Sequence, residues 1–116
     1  MNEVQIWHNP RCSKSRMGVA LLEENGIEAE VVKYLDSDLD EAMIKELLSK
    51  LGISAMGLMR TKEDVFKELK LKDVNDEDVL ISAMVKHPKL IERPIVIKGN
   101  KAVIGRPTEK ILELIK

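Results

Sequence analysis

Residues 8–16 read HNPRCSKSR, and Cys12 near their centre is the only cysteine in 116 residues. Every neighbour in the stretch is polar, small or charged, and Pro10 stiffens it, a poor setting for a buried structural thiol. A thiol becomes a nucleophile when its anion is favoured. Arg11, Lys14, Arg16 and His8 are candidate cations nearby, and the Ser13 and Ser15 hydroxyls are candidate donors to a thiolate. A free thiol titrates near 8.5, and a helix N-terminus with cations brings it to roughly 3.5–7.5. Cys12 is therefore expected to be a low-pKa nucleophile.

Spacing excludes several chemistries for such a thiolate. A phosphatase loop of the Cys-x5-Arg kind needs arginine at position 18, which is Gly18. A dithiol oxidoreductase needs Cys-x-x-Cys, and position 15 is Ser15. One cysteine with His8 and His87 falls short of a closed zinc site, so no metal is expected. What remains is a thiolate that attacks a substrate and depends on an external thiol to finish the cycle.

The elements that must position Cys12 follow from the pattern. Val4, Ile6 and Trp7 mark a first strand ending at Asn9-Pro10, and a helix follows from about Ser13 to Asn25, with Met17, Ala20 and Leu21 on its inner face and Gly26 as its stop. Valine-rich 29–35 reads as a second strand, giving a parallel β-α-β unit. Met43, Ile44, Leu47, Leu48 and Leu51 repeat at helical spacing before Gly52. Ser54 is expected to cap a short turn to Leu58, a third helix buries Val65, Phe66 and Leu69, and Asn75 caps a fourth that ends before Pro88. Ile95–Ile97 and Val103–Ile104 flank Gly99-Asn100 as a β-hairpin. Pro107 stands where a last helix begins, with Ile111, Leu112 and Ile115 turned inward. The order β-α-β, helices, β-β-α is a thioredoxin-like arrangement: a mixed four-stranded sheet in one α/β domain over 1–116, with a helical insertion at about 39–88.

Composition agrees with a small globular chain, 44% hydrophobic and 34% charged. A formal net charge of −1 gives no reason to expect nucleic acid or a membrane as partner, so any anion site must be built locally from a few cations. No apolar run approaches a membrane helix, and the N-terminus lacks the pattern of a signal peptide. A single cysteine fits a cytoplasmic location.

HNPRCSKSR, followed by LMR at 58–60, ERPIV at 92–96 and GRP at 105–107, resembles the arsenate reductase family that works with glutathione and glutaredoxin, in order and spacing along essentially the whole chain. The resemblance implies a thioredoxin-like fold with a helical insertion. It implies that Cys12 is the nucleophile, that His8 is a catalytic residue of its loop that tunes the thiolate, that Asn9 of the same loop binds substrate, and that Ser15 steadies the thiolate. Arg60, Arg93 and Arg106 correspond to the arginines that bind the oxyanion, and Arg11 is added here as a further substrate-binding cation. Arg11, Ser13 and Lys14 stand where better-known members have small residues, a form similar to a branch of small arsenate-reductase-like proteins. The chain also runs only to Lys116, without the C-terminal extension of longer members.

The chemistry makes sense of those residues. Arsenate carries about two negative charges at neutral pH and repels a thiolate, so arginines must clamp it. Reducing As(V) to As(III) takes two thiols, and this chain owns one. Glutathione as co-substrate and glutaredoxin as partner supply the rest, with no bound cofactor. Singly, each cation reads as surface: Arg60 and Arg16 or Lys14 as solvated side chains, His87 as a helix-end cation. In a thioredoxin-like fold the third strand opens on a cis-proline facing the nucleophile. Arg93-Pro94 is thus expected to be cis, and the bonds before Pro10, Pro88 and Pro107 trans. The rival reading is a redox regulator or binding protein of the same ancestry without arsenate turnover, against which Ser15 removes the usual Cys-x-x-Cys switch.

Overall fold

The structure, a computed structural model, describes residues 4–36 and 38–115. Its contacts divide into two compact units, one running from the N-terminal end to Ser37 and resuming at Arg93, the other spanning Asp38–Glu92.

The first unit is the sheet and the helices that cover it. Strands β1 (Val4–Trp7), β2 (Glu30–Val32), β3 (Ile95–Lys98) and β4 (Lys101–Ile104) lie in the order β2-β1-β3-β4. β1 and β2 are parallel, joined through helix α1 (Ser13–Glu24), while β3 runs antiparallel to both β1 and β4. The mixed thioredoxin-like sheet expected from the element order is therefore present. Gly99, at φ 61, takes the first corner of the two-residue hairpin turn, a left-handed conformation that suits glycine.

Register aligns the ends of all four strands. Trp7 pairs with Val32 on one side and Ile95 on the other, and Ile95 pairs with Ile104. One rung of the ladder thus runs Val32, Trp7, Ile95, Ile104. The chain leaves β1 and β2, enters β3 and leaves β4 at this same end of the sheet. On one face Val4, Ile6 and Val96 pack with Leu22 of α1 and with Ile111 of α6 (Lys110–Ile115), all nearly inaccessible. Fully burying such a side chain contributes about 1.5–3 kcal/mol.

Several expectations need correction. The buried face of α1 is Ser15, Gly18 and Leu22, while Met17 is 47% exposed and Ala20 is also outside. Apolarity misassigned this face because two of its three residues are a serine and a glycine. β2 covers only Glu30–Val32 rather than 29–35; it is an edge strand with Val31 exposed, and the chain turns into a 3-10 segment at Tyr34–Asp36. α6 begins at Lys110 rather than at Pro107. Arg93-Pro94 is cis, but so is Arg106-Pro107, against expectation. There the chain makes a tight turn, the Arg106 N–H donating to the Ile104 carbonyl at 2.9 Å, the setting in which cis X-Pro bonds occur.

The second unit is helical. It contains α2 (Glu41–Leu51), α3 (Ala55–Leu58), α4 (Asp64–Glu68) and α5 (Glu77–Lys86). Asp40 caps α2 by accepting from the Met43 N–H, and Gly52 closes it at φ 70. Ile44, Leu47 and Leu48 face Leu80, Ile81 and Met84 of α5 across the core of this unit. Ser54 makes no side-chain cap on α3; the Glu77 carboxylate accepts from the Ala55 N–H at 3.0 Å instead. α5 is capped by Asp76 rather than Asn75, its carboxylate taking the N–H groups of Asp78 and Val79. Phe66 is buried as expected, but Leu69 is 44% exposed.

Two glycines let α1 and α6 approach the start of β3. A Cβ on Gly18 would lie 3.0 Å from Pro94 Cγ and 3.3 Å from both Ile6 Cδ1 and Ile111 Cδ1; one on Gly105 would lie 3.0 Å from Pro94 Cγ and Ile111 Cδ1. The proline ring cannot rotate away. Gly18→Ala gains about 1 kcal/mol of helix propensity and meets an overpacking cost of roughly 1–3 kcal/mol, so a net loss of stability is expected. Gly105→Ala has no helical gain and should lose more. Denaturant titration of both variants checks this; a Gly18→Ala protein as stable as the parent would show the contact to be slack.

Candidate active site

Beyond the rung of Val32, Trp7, Ile95 and Ile104, the first unit gathers its reactive side chains. The loop 8–12 leaves β1 there and hands over to α1, with Cys12 as the N-cap residue in extended conformation. The loop is braced from within. The Cys12 N–H donates to the Asn9 carbonyl at 3.0 Å, the Arg11 N–H to Asn9 Oδ1 at 3.0 Å, and Arg16 Nη1 to the Pro10 carbonyl at 2.8 Å. Arg16, expected to be merely solvated, thus clamps the loop through a backbone oxygen.

Ser15 is wholly buried. Its hydroxyl accepts from the Asn9 N–H at 2.9 Å and lies 2.7 Å from His8 Nδ1. In a neutral imidazole protonated on Nε2 the hydroxyl donates to Nδ1, and in one protonated on Nδ1 the ring donates to the hydroxyl; the Asn9 N–H donates to it in both. Burial and the charges of Lys33 and Arg16 lower the His8 pKa, against the opposing hydrogen bond with Ser15, and so favour that neutral form. The expectation that the Ser13 and Ser15 hydroxyls donate to the thiolate is corrected here: the Ser15 hydroxyl is committed to His8 and Asn9, and Ser13 is exposed. It is the Ser15 backbone N–H, at the open end of the helix, that favours the anion.

Arg106 Nη2 donates to Cys12 Sγ at 3.6 Å, and Arg106 Nε donates to the Arg93 carbonyl at 2.7 Å. The backbone just before Pro94 therefore fixes the side chain that reaches the sulfur. The Arg93 guanidinium also reaches Cys12. Burial alone raises the thiol's pKa. The N–H of Ser15, the Arg93 guanidinium and the N–H of Lys14 outweigh it, and the Cys12 pKa falls below the ordinary thiol value. Arg93 in turn is held as a cation, the cost of its burial exceeded by its interactions with Cys12 and Tyr34. Its Nε–H is buried with no protein acceptor among the described residues.

The unit brings Cys12, His8, Asn9, Ser15, Arg93 and Arg106 together. Arg11 is bound into the loop by its N–H and is exposed. Arg60 is carried by the second unit, after the bridge between Met59 and Ile91; its N–H donates to the Leu90 carbonyl at 2.6 Å and its Nη2 lies 3.8 Å from Glu63 Oε2. Its Nε–H is likewise buried without an acceptor among the described residues. Lys14 and Ser13 point outward. Tyr34, which the motifs did not single out, is fully buried and stacks on Trp7 at 5.8 Å between ring centroids. Being the chain's one tyrosine was its only signal. Among the described residues no three His, Cys, Asp or Glu side chains cluster as a metal site would require, and no helix is long and apolar enough to cross a membrane.

Sheet and site together define a thioredoxin-like protein built around one arginine-flanked thiol. The chain belongs to the ArsC family, whose model matches residues 7–114. It is 55% identical over 113 residues to the arsenate reductase of Neisseria meningitidis, covering 96% of this chain and 97% of that one. It is 56% identical over 115 residues to the uncharacterized protein YfgD of Escherichia coli K12, covering 97% of each. The solved arsenate reductase from Vibrio cholerae superposes with a TM-score of 0.92 at 48% identity, covering 95% of each chain.

The lowered thiol pKa makes stability depend on pH. A folded-state pKa below that of the unfolded thiol contributes stability that is fully present above the unfolded value, about 8.5, and is lost as pH falls through the folded value. The stability advantage of the parent over Cys12→Ser should therefore grow with rising pH and level off near pH 8.5. Chemical denaturation of the pair across that range checks it. A pH-independent difference would mean that folding does not lower the thiol pKa.

Proposed function

We propose that this protein reduces arsenate to arsenite, with Cys12 as nucleophile, glutathione as co-substrate and glutaredoxin as the partner that restores the thiol. The observation that carries this reading is the pairing of a thiol favoured as its anion with two guanidinium groups, one with an unspent Nε–H. An unsatisfied buried donor costs about 1–3 kcal/mol, and a bound oxyanion would recover it. The relatives named arsenate reductases support arsenate as that oxyanion.

In this reading Arg93 and Arg106 hold arsenate beside the sulfur and offset its charge, with Arg11 at the rim. The Cys12 sulfur displaces one arsenate oxygen, which leaves as water after protonation, forming an S–As(V) bond. Glutathione thiolate supplies the second sulfur. The two sulfurs join as a Cys12–glutathione disulfide, their two electrons reduce arsenic to As(III), and arsenite departs. Glutaredoxin with further glutathione then reduces the mixed disulfide. No bound cofactor enters. The neutral His8, tied to Ser15, keeps the loop in register rather than adding a competing charge.

Arsenate-dependent NADPH oxidation, coupled through glutathione, glutaredoxin and glutathione reductase, tests the proposal. Cys12→Ser should abolish turnover. Arg93→Ala and Arg106→Ala should each lower kcat/KM by about 10²–10³, the range for removing one preorganised anion donor. A parent protein inert in this assay, or an active Cys12→Ser variant, would overturn the proposal.

A further inference from the structure

We propose that a cavity in the helical unit is a binding site for a small organic polyanion with an apolar end, the chemistry of a nucleoside polyphosphate. The site belongs to that unit alone and stands apart from the thiol chemistry above.

The cavity measures about 610 Å³, within the roughly 300–1,000 Å³ of small-molecule sites. It is lined by Met56 of α3, Thr61, Phe66 and Lys67 of α4, and Lys70 and Lys72 just beyond that helix. The lining divides by chemistry. Phe66 is buried and Met56 half-buried, which makes an apolar floor for a ring or hydrocarbon group. Thr61 and the three lysines are exposed, which makes a rim of one hydroxyl and three ammonium groups. Among the described residues no carboxylate lines the cavity, and none of the three lysines has an ion pair. Glu63, the acid nearest Thr61 in sequence, lies against Arg60 instead. Three like charges around one hollow repel one another, and a bound polyanion replaces that repulsion with attraction. The whole chain carries a formal charge of −1, so this concentration of cations is local.

The backbone supplies a second observation. Gly26 and Gly52, which follow α1 and α2, take φ values of 71 and 70. At the matching place after α4 stands Lys70, at φ 54 and ψ 46, the one non-glycine residue with positive φ among the described residues. A lysine is strained there, where glycine is the usual choice. Strain of this kind persists where a side chain serves a ligand. Around this turn the chain sorts its side chains: Leu69 and Leu71 line a separate groove beside α5, while Lys70 and Lys72 join Lys67 at the cavity. Glycine would make the same turn and contribute no charge.

Calorimetric titration of the full chain with ATP, in metal-free buffer at low salt, tests the site. Saturable binding is expected, weakening as salt rises. Lys70→Gly, which keeps the turn and removes the ammonium group, should lower the affinity about tenfold, the scale of one charge-assisted hydrogen bond. Lys72→Ala should do the same and provides a second reading if Lys70→Gly fails to fold. Met56→Ala should weaken ATP binding and leave binding of inorganic triphosphate unchanged. Lys101→Ala, on the hairpin, and the Arg93→Ala/Arg106→Ala double variant should bind ATP as the parent does. Absence of saturable binding, or an equal loss in Lys101→Ala, would overturn the proposal. So would loss in the double arginine variant with both lysine variants unaffected, which would place ATP beside the thiol. Inorganic triphosphate binding as tightly as ATP would overturn the apolar end of the ligand.

Discussion

The constraint on which the site depends is a single rung of backbone pairing. Val32, Trp7, Ile95 and Ile104 lie side by side across the four strands. Because β3 runs against β1 and β4 runs back beside it, the exits of β1, β2 and β4 and the entry of β3 fall at one end. Residues separated by more than ninety positions in sequence are thereby made neighbours, Arg106 and Cys12 among them. A slip of one residue in any pairing would turn the side chains of that strand to the opposite face. The buried alternation of Val4 and Ile6 against Val96, packed on Leu22 and Ile111, resists such a slip.

What the rung assembles is a contest between burial and charge. Placing a thiol in a partly enclosed corner favours its neutral form, and the same enclosure strengthens each cation and N–H dipole aimed at it. Here the second effect wins. Two close approaches make it possible. Gly18 and Gly105 leave room for the Pro94 ring, which brings the backbone of Arg93 to where its carbonyl fixes Arg106. Position 18, where a phosphatase loop would carry arginine, is occupied by the one residue small enough for that packing. The cations of this site come from the far end of the chain instead.

Much of this was legible in the sequence, for identifiable reasons. Strands and the hairpin declared themselves by valine and isoleucine runs around Gly99-Asn100, and α2 by its apolar spacing and Gly52. Cys12 stood out because nothing around it could pack. Less legible were features that depend on tertiary hydrogen bonds. Ser15 is buried because His8 and Asn9 satisfy it, which no hydropathy pattern announces. Glu77 replaces Ser54 as the cap of α3 from twenty-two residues away. Tyr34 looked like the tail of a strand, and its stack on Trp7 exists only once the sheet is assembled.

The central claim is that the N–H groups at the start of α1 and the guanidinium groups delivered from the distant end of the chain together favour the Cys12 thiolate. The pH dependence of its alkylation by iodoacetamide, in the parent and in an Arg93→Ala/Arg106→Ala double variant, measures this directly. The account predicts that the parent's midpoint lies below the free-cysteine value of about 8.5, and that the double variant's profile moves up toward that value. A parent profile that tracks free cysteine, or one that the double substitution leaves in place, would contradict it.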